Sequence, residues 1–253
     1  MMSNIIRYEL KKTFKCKPIY CSIIIVFALT IFINLFIALK MNGVTRYALP
    51  INTVYIFSSM LIFTIFLSIS SYILGIEYKF DTMKIMKTKK ALEGEILISK
   101  IVALILYSLV ITAEVFIISI IIGLFFRTGD VLEIAKNTVI SESQSITFLI
   151  KIFLLQLVGN ISIASLAISV VSMLKKVEIS TIVTIVIMLF CFMASMFIKG
   201  DLIDYILPFN NYNSLEIVLN NSLNMWIIFI KRIVYSVIFI CVAYFRYKNM
   251  DLE

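Results

Sequence analysis

Apolar residues in this chain run in long blocks that are separated by short polar clusters. Blocks of about 20 apolar residues are long enough to cross the hydrocarbon core of a membrane as helices. The pattern therefore predicts an all-α membrane protein with six transmembrane helices, forming one transmembrane domain over residues 1–253. The predicted spans are residues 18–39, 51–76, 97–126, 146–174, 179–198 and 225–245.

The first polar cluster, residues 1–17, is amphipathic. Its apolar and basic residues fall on opposite halves of a helical wheel, with Ile5, Ile6, Leu10 and Phe14 on one half and Arg7, Lys11, Lys12 and Lys15 on the other. This pattern predicts a helix that lies in the membrane interface, with its apolar half in lipid and its lysines toward anionic headgroups. The alternative is an ordinary positively charged flank of the first span.

The polar cluster between the second and third predicted spans is more informative. Residues 77–100 hold six lysines, and apolar residues recur at Phe80, Met83 and Met86. That spacing would place the three apolar side chains on one side of a short helix. We therefore predict that the loop 77–96 lies at the membrane surface and offers a hydrophobic edge to a cytosolic protein.

Composition narrows the class of protein. Apolar residues make up 61% of the chain, well above the roughly 45–50% of soluble domains. The net charge of +8 is interpreted as a topology signal, with no nucleic acid as partner, because Lys and Arg concentrate on the segments that would face the cytosol. This bias places both termini on the cytoplasmic side.

Several kinds of chemistry are disfavoured. The chain has no histidine, which excludes histidine metal sites and Ser–His or Cys–His catalytic pairs. Its four cysteines show no metal-binding spacing, and no aspartate lies inside a predicted span. We therefore predict no catalytic residue, no metal site and no cofactor within the chain, and an intramembrane protease is disfavoured. The outer segment 127–145 is compatible with a short helix around Val131–Lys136.

Charged residues inside the spans are candidate functional groups because burying them in lipid is costly. Glu114 lies roughly 21 Å of helix rise beyond Lys100, and Lys231 and Arg232 lie at a similar distance before Arg246. We therefore predict that Glu114 pairs with Lys231 or Arg232 across the third and sixth spans. Such a pair would either fix helix packing or take part in a transport cycle.

The fourth span carries a small, polar helix face. Gln156 and Asn160 are four residues apart, and serines follow at spacings of three and four, including Ser165 and Ser169. Small residues let helices approach closely, so this face is interpreted as a packing surface. A face that lines a polar pathway is the alternative.

The 77–100 segment resembles the corresponding segment of ABC-2-type permeases, the membrane subunits of ATP-driven exporters. That family often reads E-Y-x-x-G-T-L-x-x-L-L-x-x-P-x-S-R-x-x-I-L-x-x-K between its second and third spans. The departures here are Asp81, Lys90 and Glu93 at the glycine, proline and arginine positions. The stretches IIRYELKKTFKCK and DYILPFNN resemble the family's elbow helix and its outer segment before the last span. The matching residues are Glu77, Tyr78, Thr82, Ile96, Leu97 and Lys100.

The resemblance implies a mechanism. The 77–96 loop would be a coupling helix seated in a groove of a cytosolic ABC ATPase subunit. ATP and Mg would be bound by that partner, because this chain lacks a G-x-x-x-x-G-K-[ST] phosphate loop. The permease would work as a homodimer or as a heterodimer with a related chain, without enzymatic activity of its own. The implied coupling residues are Glu77, Phe80, Thr82, Met83, Met86, Lys87, Lys89 and Lys90.

The resemblance also bears on substrate and location. Small permeases of this length are similar to lantibiotic-immunity permeases and to those exporting phenol-soluble modulins. This implies export of amphipathic or antimicrobial peptides across a bacterial cell membrane, with membrane lipid surrounding the chain. Export of a drug, a lipid or sodium is the alternative within the family. A self-contained ion-coupled carrier is the alternative outside it, although no internal repeat is visible.

Overall fold

Helices form nearly all of the structure, a computed structural model of the chain. It describes residues 2–40, 47–56, 62–79, 93–125, 132–134, 138–140, 142–197 and 222–248. Within these residues there are eight helices: α1 (Met2–Lys15), α2 (Lys17–Lys40), α3 (Ala48–Ile56), α4 (Ile62–Lys79), α5 (Glu93–Phe125), α6 (Glu142–Leu174), α7 (Val177–Phe197) and α8 (Ser222–Lys248).

Four of the predicted spans are confirmed as helices long and apolar enough to cross a membrane, namely α2, α5, α6 and α8. The predicted span 51–76 falls on α3 and α4, which lie on either side of residues 57–61. The predicted span 179–198 falls on α7, where the apolar stretch Val177–Cys191 is shorter. The chain is therefore a multi-pass, α-helical membrane protein.

Large apolar side chains on the outside of the bundle support this conclusion. Phe32, Phe125 and Phe190 are 68%, 82% and 71% exposed. Exposing such an apolar surface to water would cost a free energy of about 25 cal/mol for each Å². In a bilayer the same surface faces hydrocarbon. Lipid also explains why these β-branched and aromatic runs are helical, because a helix satisfies every backbone N–H and C=O within the segment.

Among the described residues, the all-α prediction has one exception. Strands β1 (Leu132–Ile134) and β2 (Thr138–Ile140) form an antiparallel pair in which Glu133 lies opposite Val139. The predicted short helix around Val131–Lys136 is therefore wrong. Alternating apolar residues and a β-branched run such as Thr138–Ile140 favour a strand over a helix.

Helix α6 is the centre of the bundle. In its membrane window 72% of the residues are buried, compared with 17% in α8 and 28% in α2. Helices α4, α5, α7 and α8 all pack against it. The main core extends from α6 to α2, α3, α4, α5 and the last turns of α8, and a smaller core joins α4, α6 and α7.

The links from α1 to α2 and from α6 to α7 are short, and local residues explain how each second helix begins. Pro18 lies in the first turn of α2, where its missing N–H leaves no intrahelical bond unmade. At the other turn, Lys175 adopts a left-handed conformation with φ of 56°. Its N–H donates to the carbonyl oxygen of Val171 at 2.9 Å, as expected of a helix C-cap. The two-residue link Lys175–Lys176 therefore holds α6 and α7 side by side.

A buried hydrogen-bonded group links α2, α3 and α5. The Asn34 amide nitrogen donates to Ser119 Oγ at 2.9 Å, and the Asn34 amide oxygen accepts from Thr53 Oγ1 at 2.8 Å. All three side chains are 0% exposed. This group was not predicted from the sequence, because an isolated Asn in an apolar run gives no indication of its partners.

We expect Asn34→Leu to destabilise the protein by about 1 kcal/mol, the size typical of interhelical hydrogen bonds in membranes. The loss stays modest because Ser119 Oγ donates to the carbonyl oxygen of Val115, and because Thr53 Oγ1 lies 2.7 Å from the carbonyl oxygen of Leu49, to which its single proton can turn when Asn34 is replaced. Unfolding midpoints in detergent would measure it. The matched control is Asn52→Leu, the same change at a half-buried position, which should be nearly neutral. Equal losses would contradict the role given to Asn34.

Candidate functional site: a buried charge cluster

Four charged side chains from three helices meet at one end of the bundle. Lys100 Nζ lies 2.7 Å from Glu77 Oε1, and Lys12 Nζ lies 2.8 Å from the same oxygen. The second carboxylate, Glu9, lies 3.5 Å from Lys100 Nζ and 3.6 Å from Lys12 Nζ. Each lysine therefore lies between both acids. We call Glu9, Lys12, Glu77 and Lys100 the charge cluster.

The cluster is almost entirely withdrawn from solvent. The side chains of Lys100 and Glu77 are 0% and 1% exposed, and that of Glu9 is 4% exposed. Lys12, at 29%, lies at the edge. Removing such charges from water costs several kcal/mol per ion, which only close pairing offsets. With two positive and two negative groups the cluster is neutral overall, and loss of one member would leave a buried charge unpaired.

The sequence places these residues by simple helix geometry. Glu9 and Thr13 are four residues apart, so they share one face of α1, and both are buried. Glu77 is in the last turn of α4, and Lys100 is in the second turn of α5. Consequently α1, which packs chiefly against α5, is fastened to the two helices that flank residues 80–92.

The charge of Lys12 is favoured by its partners in the cluster. Burial lowers the pKa of Lys12, but the attraction of Glu77, its hydrogen bond and the attraction of Glu9 outweigh burial, so the pKa is raised above 10.5. A raised lysine pKa contributes stability that is complete below pH 10.5 and is lost only as the pH rises through the raised value. Lys12 therefore remains positively charged throughout the neutral range.

Of the predicted coupling residues, the structure describes Glu77, and it places this residue in the charge cluster. The remaining predicted coupling positions lie outside the described residues: Phe80, Thr82, Met83, Met86, Lys87, Lys89 and Lys90. Two further residues of the family resemblance, Ile96 and Leu97, are buried in the main core next to Lys100.

The predicted intramembrane pair is not brought together. Arg232 is 3% exposed, and its Nη1 donates to the carbonyl oxygen of Leu155 in α6 at 2.7 Å. Glu114 Oε2 is buried without a hydrogen-bond partner among the described residues. Within this part of the chain, the structure contains no ion pair from Glu114 to Lys231 or Arg232. The physical reason is the order of the helices, since α8 packs mainly on α6 and only slightly on α5.

The polar residues of the fourth predicted span are buried in α6. Gln156 Nε2 donates to Asn160 Oδ1 at 3.3 Å, and Asn160 Nδ2 donates to Thr112 Oγ1 in α5 at 3.0 Å. The hydroxyls of Ser165 and Ser169 donate to carbonyl oxygens of their own helix. Of these bonds, the one from Asn160 to Thr112 joins α6 to α5, and the others satisfy the polar groups within α6. This arrangement favours the packing interpretation of this face over a polar pathway.

Glu9 was not predicted as a site residue. It is the single acid before Glu77 in the sequence. An isolated acid within a basic helix is the feature that indicates a buried partner for this residue. Lys12 was assigned to the lysine half that faces headgroups, and the structure instead places it in the charge cluster.

No family model matches the chain, and no curated protein matches it either. Any functional assignment therefore depends on the residues and contacts described above. Among these the charge cluster is the most unusual, because it gathers four ionisable groups in a bundle whose other described contacts are mainly apolar.

Proposed function

We propose that this chain is the membrane-spanning permease subunit of an ATP-driven exporter of the ABC-2 type. In this proposal ATP is hydrolysed by a separate cytosolic subunit, and residues 77–96 form the coupling helix that receives its movement. The chain crosses the membrane six times with both termini in the cytoplasm, and α1 is the interfacial elbow helix. Two permease chains, identical or related, form the transport pathway.

The observation that supports this function best is the position of the charge cluster. Glu77 lies near the end of α4 and Lys100 near the start of α5, on either side of the segment that joins these helices, and they pair at 2.7 Å. A force on that segment would reach both helices together, because separating the buried pair would leave unpaired charges at a cost of several kcal/mol. Through Glu9 and Lys12, α1 would move with them.

The movement would then be transmitted into the rest of the bundle. Helix α5 packs against α2, α3 and α6, and close-packed interiors transmit displacement instead of absorbing it. A rigid unit of α1, α4 and α5 that tilts against α6–α8 is the kind of transition by which transporters alternate between states.

The proposed substrate is an amphipathic or antimicrobial peptide, exported across a bacterial cell membrane. This substrate class follows from the resemblance to small peptide-exporting permeases and is an analogy. It fits a chain whose exterior is apolar over most of its length. A comparison of peptide tolerance in cells with and without the gene and its ATPase would test the substrate separately.

The direct test is reversal of the lysines in the coupling segment. We expect the full chain, purified in mild detergent from its own cells, to retain an ATPase subunit and its ATP hydrolysis. The triple variant Lys87→Glu/Lys89→Glu/Lys90→Glu should retain about one tenth of that ATPase or less, because like-charge contacts at an interface cost several kcal/mol. Immunoblotting measures the amount of ATPase that is retained, and the rate of phosphate release measures its ATP hydrolysis.

The matched control is Lys11→Glu/Lys15→Glu on α1, where both lysines are exposed. This variant introduces the same kind of charge change away from residues 77–96 and should keep the ATPase. The proposed function would be rejected if the unmodified chain retained no ATPase, or if the triple variant and the control behaved alike.

A second function, a self-contained ion-coupled carrier, is favoured by one observation. Glu114 Oε2 is buried in the membrane portion of α5 with no hydrogen-bond partner in the described chain, and a carboxyl group in such a position is able to exchange protons. The two functions differ in their energy source. Transport that continues without ATP but stops when the proton gradient is collapsed would favour the carrier.

A further inference from the structure

Glu114 is an acid in the membrane portion of α5 that the described part of the chain leaves without a counter-charge. It lies inside the apolar window Gly94–Phe125, and among the described acids it alone occupies the middle part of a membrane helix. The residue is half-buried, and its Oε2 atom has no hydrogen-bond partner among the described residues. A carboxylate in such a position is costly unless a proton or a positively charged group neutralises it.

The residues next to Glu114 on the same side of α5 are aliphatic and open to the membrane. Val110 precedes Glu114 by four residues, and Ile117 and Ile121 follow it by three and seven, so the four residues share one face of the helix. Ile117 and Ile121 are 56% and 47% exposed, and Val110 is half-buried. We call these four residues the α5 strip. Its acid distinguishes it from a surface that only contacts lipid.

The chemistry of the strip indicates which kind of cation would pair with Glu114. Arg232 is directed to the carbonyl oxygen of Leu155 and not to this acid. The described residues contain no group of three metal-binding side chains, and one carboxylate supplies too few oxygen ligands for a hard metal ion. A single ammonium or guanidinium group, in contrast, needs only one carboxylate. The strip therefore suits an organic cation whose remaining surface is apolar.

We propose that Glu114 binds the positively charged group of the exported amphipathic peptide, while Val110, Ile117 and Ile121 contact the apolar side chains of that peptide. The identification of the ligand as a peptide rests on the proposed function, and the new element is the residue that selects a cationic substrate. One acid within an aliphatic strip is complementary to one lysine within the apolar face of a membrane-bound helix. Because charges attract strongly where water is scarce, a neutral peptide is held less tightly.

Peptide binding to the full chain in phosphatidylcholine nanodiscs tests the site. The probe is a fluorescent amphipathic helix of leucine and lysine, and the comparison peptide has glutamine in place of every lysine. We expect Glu114→Gln to bind the lysine peptide at least about tenfold less tightly than the unmodified chain, the effect of losing one hydrogen bond between charged groups. The glutamine peptide should bind both chains equally. Fluorescence anisotropy measures each affinity.

The matched control is Glu95→Gln, the same change at a half-buried position near the start of α5. It should bind the lysine peptide as the unmodified chain does. A second measurement needs no variant and therefore does not depend on how Glu114→Gln folds. The apolar reagent dicyclohexylcarbodiimide modifies carboxyl groups within membranes. The lysine peptide should slow this reaction at Glu114, as measured by mass spectrometry of the digested chain, and the glutamine peptide should not.

The site would be refuted if Glu114→Gln bound the lysine peptide as tightly as the unmodified chain, if Glu95→Gln weakened binding equally, or if the peptide left the carbodiimide reaction unchanged. Loss of proton uptake in Glu114→Gln with unchanged peptide binding would assign Glu114 to a proton-driven carrier instead. A chain that binds the peptide through Glu114 but retains no ATPase would reject the proposed exporter and leave the site standing. A chain that retains the ATPase and binds the peptide without Glu114 would reject only the site.

Discussion

Lys100→Met should be the most damaging single substitution in the charge cluster, with a loss of about 3–5 kcal/mol in the free energy of unfolding. Lys100 is completely buried, and it supplies the closest contact to Glu77, at 2.7 Å. Methionine is unbranched like lysine and only one heavy atom shorter, so it leaves little empty space and the loss reports mainly the charge. The midpoint of unfolding in a detergent titration, followed by circular dichroism, is the measurement.

Two further variants make this prediction specific. Lys12→Met also leaves the two buried acids with one lysine, but it should cost less, about 1–2 kcal/mol, because Lys12 is partly exposed and water screens that edge of the cluster. Adding Glu77→Gln to Lys100→Met removes the uncompensated acid while keeping a hydrogen-bond acceptor for Lys12, and should restore most of the lost stability. Equal effects of the two lysine substitutions, or strictly additive effects of Lys100→Met and Glu77→Gln, would contradict a buried ionic cluster.

The same variants separate the effect of the charge cluster on protein stability from its proposed role in coupling ATP hydrolysis to export. The double variant Lys100→Met/Glu77→Gln carries a neutral pair at these two positions and is expected to fold, since buried ion pairs are often replaceable without loss of stability. It lacks the ionic contact between position 100 and Glu9 and therefore holds α1 less firmly. If the proposed function is correct, this folded double variant should hydrolyse ATP with little peptide export.

Hydrophobic pattern alone was enough to locate α2, α5, α6 and α8. A run of about 20 apolar residues is a strong signal, because lipid admits little other than a helix. The ends of α5 and α6 agree with the predicted spans 97–126 and 146–174 to within a few residues. Such a signal reports that a helix is in the membrane, and it gives no information about which helices are neighbours.

Neighbour relations account for the failures at the candidate sites. Helix rise predicts a similar depth for Glu114 and Arg232. However, α8 packs on α6, and Arg232 donates a hydrogen bond to the carbonyl oxygen of Leu155 in α6. A helical wheel likewise separates the polar and apolar halves of α1 without showing whether protein, lipid or water covers each half. Glu9 and Lys12 are polar and yet face the protein, because partners on α4 and α5 are available there.

Gly75→Ala should destabilise the protein by about 1–3 kcal/mol, the usual cost of forcing extra atoms into a packed interior. In an ordinary helix this change would be favourable by up to about 1 kcal/mol, because alanine is the better helix former. Here, however, a Cβ on Gly75 would overlap Cγ2 of Val177 at the start of α7 and would lie 3.5 Å from its Cα. Val177 is β-branched and has one strongly preferred χ1 rotamer in a helix, so its side chain has little freedom to move away from the added Cβ.

Gly94→Ala is the matched control, since that Cβ would meet only the ring of Tyr244, at an ordinary contact distance of 3.4 Å. It should be neutral or slightly stabilising. Val177→Ala combined with Gly75→Ala should recover most of the loss. Similar unfolding midpoints for the two alanine variants, or no recovery in the double variant, would contradict the close approach of α4 to α7.

The position of Gly75 connects this packing to the charge cluster. Glu77 is two residues further along α4, so a displacement of α4 away from α7 would also shift the carboxylate that both lysines share. Ion pairs of 2.7 and 2.8 Å weaken quickly with distance once their groups are buried, and part of the Gly75→Ala loss should therefore come from the cluster. If so, adding Gly75→Ala to the Lys100→Met/Glu77→Gln background should cost less than it does in the unmodified chain.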